Sequence, residues 1–298
     1  MAARAAGQCR RADAVVSTVI RFAVLSDIHL APAGTPDGSW NNVTRKSVSA
    51  DLLRAAVADI AAAGHQRVLV LGDISDDGSP ELIRAALTAI GSAGLTSWAV
   101  PGNHDAARDQ RALDLAAEPL DGCVLLPRRP VQLDDAIALV GNGLRSTDGG
   151  LTCAATSLAD VTAVTAQLLV WAGHYPLISQ AEVLLAAGLR YPGDLTNLAA
   201  VRRAAERQAG PILVLHGHLH TAVTAQDGRI LQLGFPALVE WPHAWTDVRL
   251  DVSPAKTMLR TALRPVAGRW SEGTRNSLLA GPEQAWQLAR GSWSDRAG

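Results

Sequence analysis

Cysteine is scarce in this chain. Its 298 residues include three, Cys9, Cys123 and Cys153, with no CxxC pair and an odd total. That argues against a disulfide framework or a cysteine-held zinc site. It fits a reducing compartment, so a cytoplasmic setting is the expectation. A charge excess is missing as well: 27 basic residues face 28 acidic ones, for a net charge of −1. Electrostatic binding to long nucleic acids or to a membrane surface needs a basic excess, so neither is expected. No run of about 18 apolar residues is present, and no membrane span is expected. Internal repeats and long low-complexity linkers are lacking. The first 14 residues are rich in Arg and Ala but lead into no apolar h-region. Residues 1–18 therefore read as a disordered extension rather than a signal peptide.

What the chain does have is apolar mass. Hydrophobic residues make up 48% of it, enough for a sizeable core. Strand-like runs at Ile20–Leu25, Arg67–Leu71 and Thr96–Val100 alternate with helical patterns. Val48, Leu52, Ala56 and Ile60 step by four, which predicts a helix over Ser47–Ala63 closed by Gly64. A second helix is predicted from Pro80 to about Ala93. Further strands are expected at 136–140, 168–172 and 212–215, with a helix at 196–208. A hairpin of 247–252 with 256–263 follows around Ser253-Pro-Ala255. This order predicts a layered α/β fold. From Gly268 onward the chain is polar and carries Trp270, Trp286 and Trp293. Residues 267–298 read as a C-terminal tail, with a short helix packed on the domain or a partner contact as its expected forms.

Five short motifs sit where predicted strands end. They are Asp27-Ile-His29, Gly72-Asp73, Gly102-Asn-His-Asp105, Gly173-His-Tyr-Pro176 and His216-Gly-His-Leu-His220. Ligands of an open α/β sheet gather at the carboxyl ends of its strands, so the motifs can converge on one sheet edge. Carboxylate and amide oxygens together with imidazole nitrogens suit zinc, manganese, iron, cobalt or nickel. In an extended segment residues i and i+2 face the same way, which would let Asp27 with His29, and His218 with His220, address one centre. The interleaved glycines would let backbone approach the ions. Singly, each motif has a plain alternative: a GD pair is often just a turn, and a buried His174 is by default a satisfied core histidine. Of eight histidines, six lie in these motifs, and that clustering favours metal.

The series DxH, GD, GNH, His-x-Pro, GHxH resembles the calcineurin-like metallophosphoesterase superfamily over about residues 20–225. The resemblance implies a four-layer α/β/β/α sandwich, here residues 19–266, around two divalent or mixed-valence transition-metal ions. It implies Asp27, His29, Asp73 and His220 at one ion and Asp73, Asn103, His174 and His218 at the other, with Asp73 shared. Two such ions roughly 3.5–4 Å apart share a water and lower its pKa, giving a hydroxide that attacks phosphorus in line. His104 resembles the family histidine facing the leaving oxygen, with Asp105 as its orienting carboxylate.

His216 reads as a residue behind the ligands, His65 as a surface residue and Asp76 as a brace for its loop; His243 lies in Glu240–Trp245, which could reach the site from the sheet end, and reads as structural ahead of that. The loop 31–42, with Asp37, Trp40, Asn41 and Asn42, is either a substrate rim or a solvated loop. The GDISDDGSP and PGNHD segments look most like the branch of class III cyclic-nucleotide phosphodiesterases and glycerophosphodiesterases. Against that branch, Arg108 stands one place late and His174 is single. The expected activity is hydrolysis of a small phosphorylated substrate, diesters ahead of monoesters. The alternatives are a metal-dependent phosphomonoesterase and a catalytically inactive metal-binding scaffold.

Overall fold

The computed structural model describes residues 17–118, 120–253, 255–266, 278 and 283–296. The extension expected at 1–18 falls almost wholly outside them, as does Trp270; residue 18 already opens the first strand.

Two sheets carry the molecule. The larger has eight strands in the order Ser292–Asp295, Gln284–Ala289, Lys256–Pro265, Ala244–Val252, Thr18–Leu25, Arg67–Val70, Thr96–Ala99, Cys123–Leu125. Its last four run parallel, joined by the crossover helices Ser49–Ala62 and Pro80–Ser92. The smaller sheet has six strands in the order Thr224–Asp227, Ile230–Gly234, Ile212–His216, Leu168–Gly173, Ile137–Gly141, Val131–Asp134. Its four central strands are parallel.

Side-chain alternation explains the layering. Along the first strand Phe22 and Val24 point into the core between the sheets, where they meet Leu139, Val170 and Leu215. Ala23 and Leu25 point the other way, onto Leu52, Ile60, Ile83 and Ile90 of the two helices. Strands buried on both faces read as near-continuous apolar runs, as Phe22–Leu25, Val68–Val70 and Leu168–Ala172 do. A third core lies outside the smaller sheet, where Val161 and Val201 of the helices Ala155–Ala163 and Leu198–Arg207 pack on Leu169 and Val214. The result is the expected helix/sheet/sheet/helix sandwich. Each fully buried Leu or Ile in these cores contributes about 1.5–3 kcal/mol.

The helix predictions hold to within two residues. Gly64 closes the first helix at φ +78°, and Ser79 caps the second by accepting from Leu82 N at 3.3 Å. The C-terminal stretch differs from expectation. Instead of a short helix, Gln284–Ala289 and Ser292–Asp295 form a hairpin that widens the large sheet beside Lys256–Pro265. Trp286 and Trp293 explain it: they alternate with polar residues, and both point into the core between the sheets.

Candidate active site

All five motifs sit at carboxyl ends of parallel strands. Asp27-His29, Gly72-Asp73 and Gly102–Asp105 belong to the large sheet; His174 and the His216–His220 loop belong to the small one. The site thus lies where the edges of two sheets meet, not on one edge.

The local backbone is unusual. Asp27, His29, Asp73, His218 and His220 all have left-handed φ, between 44° and 67°. Their side chains therefore do not converge by strand alternation, as the i, i+2 spacing suggested. Three of the five loops turn at a ligand-like residue. Such conformations cost of order 1–3 kcal/mol each and persist only where neighbours enforce them. The glycines allow close loop-to-loop contact. A Cβ on Gly102 would lie 2.1 Å from the backbone N of Asp73, and one on Gly217 would lie 2.1 Å from Ser26 Oγ.

The side chains then meet in overlapping groups. Asp27 with His29 and His220, Asp27 with Asp73 and His174, and Asp73 with His29 and His104 each place three donor atoms within 4.8 Å of one another. His174 Nε2 is 2.9 Å from Asn103 Oδ1 and 3.3 Å from Asp73 Oδ2. His220 Nε2 is 3.3 Å from Asp27 Oδ1. His218 lies outside those groups; its ring packs on Tyr175 with centroids 3.9 Å apart. Nε2 of His29 and Nε2 of His218 are buried with no hydrogen bond among the described residues. Orphaned imidazole nitrogens beside two buried carboxylates are a donor set that fits transition-metal ions.

A profile of calcineurin-like phosphoesterases matches residues 20–222. The chain belongs to this family. It is a metal-dependent hydrolase of phosphoric esters. Solved structures share its fold. A dimetal phosphatase from Danio rerio superposes with a TM-score of 0.62 at 15% identity, covering 83% of this chain and 96% of that one. The purple acid phosphatase PPD1 of yellow lupin (Lupinus luteus) gives 0.52 at 13% identity, covering 87% of this chain and 53% of that one. No curated protein sequence matches at a significant level.

Charge is tightly balanced in the phosphoesterase site. Burial alone would raise the carboxyl of Asp27, but the imidazoles of His220 and His174 override it and bring it down to about 2. Asp73 is likewise held well below the usual carboxylate range by His174, His29 and His104 despite its burial. Burial pushes the two imidazoles down, yet Asp73 raises His174 to about 9, and Asp27 with Glu240 raises His220 to about 10. His218, buried and beside the cationic His174, falls to about 3.

Residues behind the donors hold them in place. Asp76 does more than brace its loop: Oδ1 lies 3.1 Å from His29 Nδ1 and 2.7 Å from Lys46 Nζ. Glu240, fully buried, sets Oε1 3.3 Å from His220 Nδ1 and accepts from Thr44 Oγ1 at 3.1 Å. His174 Nδ1 donates to the Leu71 carbonyl at 2.7 Å. Histidines that bind metals are characteristically held this way, by a carboxylate or carbonyl at the far nitrogen. Sequence reading missed Glu240 and Lys46, since neither falls in a spaced motif. Glu240 stands in the same Glu240–Trp245 segment as His243, whose ring is held on the Leu238 carbonyl as a structural residue.

Two further expectations are corrected. Asp105 does not orient His104. It is buried and accepts from the backbone N of Ile74, Ser75 and Gly102 at 2.9–3.1 Å, tying two motif loops together. His104 is held instead by its Nδ1 on the Asp76 carbonyl at 2.6 Å. His65 is no surface residue: it is buried edge-on against Trp245, with Nε2 3.4 Å from Asp247. His216 is buried behind the site, Nδ1 on the Gly217 carbonyl, and burial lowers it to about 4. Arg108 pairs with Asp77 at 2.9 Å. Above the donors opens a cavity of ≈ 340 Å³ lined by His29, His104, His218 and His220 together with Trp40 and Lys46, among others.

Proposed function

We propose that the site holds two transition-metal ions and hydrolyses phosphodiesters ahead of monoesters. One ion takes Asp27, His29, Asp73 and His220; the other takes Asp73, Asn103, His174 and His218. The observation that carries this reading is the meeting of Asp27, His29, Asp73, Asn103, His174 and His220 in overlapping groups, with the His218 ring 5.0 Å from that of His174 and the buried Nε2 atoms of His29 and His218 unbonded among the described residues. When bound, such a pair lowers the pKa of water and neutralises phosphoryl charge.

The chain's own residues do the rest. Asp27 and Asp73 stay ionised in the buried site. Asp76, Glu240 and the Leu71 carbonyl fix the rings of His29, His220 and His174 from behind. His104 donates Nδ1–H to Asp76 O, which leaves Nε2 to carry a proton to the departing alkoxide or phenoxide. His104 also lines the cavity, which supports a role for it at the leaving oxygen.

The charges of the lining favour the diester. Lys46 is its one Lys or Arg, and Asp76 already pairs with it at 2.7 Å. Arg108, which would reward a dianion, is taken up by Asp77 outside the lining. Among the described lining residues no unpaired Lys or Arg is left for a monoester's extra charge. Metal-reconstituted protein should show a higher kcat/KM for bis-(p-nitrophenyl) phosphate than for p-nitrophenyl phosphate. A preference for the monoester of about tenfold or more would overturn the diesterase assignment and make the enzyme a metal-dependent phosphatase.

A further inference from the structure

The cavity is larger than a phosphoryl group requires. A phosphate displaces roughly the volume of two or three waters, ~60–90 Å³. Most of the ≈ 340 Å³ is therefore left for the remainder of the ester. One large side chain in that lining belongs to no hydrophobic core. Trp98, Trp171, Trp245, Trp286 and Trp293 all belong to hydrophobic cores, whereas Trp40 belongs to none of them. It is half-buried, on the loop between the first motif and the first helix, and it lines the cavity beside Pro192.

The ring is held ready. Trp40 N donates to the Asn42 carbonyl at 2.9 Å. The Arg190 guanidinium lies 5.5 Å from the ring centroid, and Arg190 N donates to Asn41 Oδ1 at 2.9 Å. These contacts join the loop to the segment that carries Pro192, so the tryptophan needs little ordering when a ligand arrives. Its chain neighbours Gly38 and Ser39, both small, line the cavity with it. Trp40 Nε1 is buried and has no acceptor among the described residues, a donor that a ligand oxygen would satisfy. A tryptophan face backed by a guanidinium and facing a polar cavity is suited to a flat π-system more than to a flexible alkyl chain.

We infer that Trp40 is a stacking platform for a planar aromatic or heteroaromatic ring, and that the phosphoesters turned over at this site carry such a ring. The inference rests on the phosphoesterase reading for its substrate, but the platform can be tested by binding alone.

The measurement is calorimetric affinity of the metal-loaded, full-length protein for four phosphonates: methyl, cyclohexyl, phenyl and benzyl. The better of phenyl- and benzylphosphonate should bind at least about tenfold more tightly than methylphosphonate, within the range that base–aromatic stacking supplies. Cyclohexylphosphonate should stay within about threefold of methylphosphonate, because bulk without a π-face gains little there. In Trp40→Ala the aryl-over-methyl ratio should fall below about twofold, and in Trp40→Phe it should be largely kept. An aryl-over-methyl ratio near one in the wild-type protein overturns the proposal, whatever the variants do. So does a cyclohexyl affinity equal to the phenyl one, or a ratio untouched by Trp40→Ala. If the aryl preference stands while neither bis-(p-nitrophenyl) phosphate nor p-nitrophenyl phosphate is hydrolysed, the phosphoesterase reading fails and the platform survives. Hydrolysis together with a ratio near one gives the reverse.

Discussion

His104 is held by one ring nitrogen, and the other has no hydrogen bond among the described residues. Its Nδ1 is spent on the Asp76 carbonyl, so any proton it passes must leave from Nε2. His104→Ala should keep the bound metal yet slow turnover about 10²–10⁴-fold on substrates with poor leaving groups. The loss should shrink for p-nitrophenyl esters, whose leaving group needs little protonation. Equal losses for good and poor leaving groups would move His104 from the leaving oxygen to the phosphoryl group. At this scale the sequence was informative about donors and much less so about their supports. Asp27, His29 and Asp73 stood out because short motifs after strands bring metal-binding types together. Glu240 could not stand out, because it reaches His220 only through a turn 20 residues further along the chain. Asp105 was misread for a related reason: adjacency to His104 suggested a partnership. In the fold, Asp105 turns inward to three backbone N–H groups and stabilises the loops instead.

Among the elements, the loops after the strands decide the site. Five of them meet, and five of the donor residues bend left-handed to let them do so. The packing between the Gly72-Asp73 and Gly102–Asp105 loops leaves no room for a Cβ at Gly102, where Asp73 N and Oδ1 would both lie 2.1 Å away. Gly102→Ala should therefore displace the carboxylate assigned to both ions. We expect kcat/KM to drop by about 100-fold or more, as a misplacement near 1 Å does, with far-UV circular dichroism unchanged. Activity within about threefold of wild type would mean that the loops are looser than this packing implies. The long helices and central strands were legible because their periodicity is strong, as in the four-residue steps of Leu52, Ala56 and Ile60. The short hairpin at one end of the smaller sheet was not. Thr224–Asp227 and Ile230–Gly234 hinge on Asp227-Gly228, with Gly228 at φ +56°. That turn signal is present in the sequence, but strands of four and five residues beside it carry too little alternation to register.

For the whole molecule, two sheets stacked face to face bring three loops from one and two from the other into a single buried, charge-balanced cluster. In the metal-free protein that balance is kept by protons. His174 near 9 and His220 near 10 are imidazoliums at neutral pH, raised above their ordinary value by Asp73, Asp27 and Glu240 against the opposing effect of burial. Both must lose a proton to serve as ligands. Calorimetric titrations with metal in buffers of different ionisation enthalpy should report release of about two protons per chain near pH 7.5, declining as the pH passes 9 to 10. Metal uptake without proton release would mean that these two histidines stay outside the coordination. Among the described residues no helix is long and apolar enough to cross a membrane.

The central claim, a two-ion centre built on a shared Asp73, is tested most directly by titrating the metal-free protein with Mn²⁺, following bound metal and hydrolysis of bis-(p-nitrophenyl) phosphate in the same samples. Activity should stay low until the second ion binds and should saturate at two ions per chain, while Asp73→Ala should lose both ions or nearly all turnover. Full activity at one ion per chain, or turnover that persists in excess chelator, would contradict it.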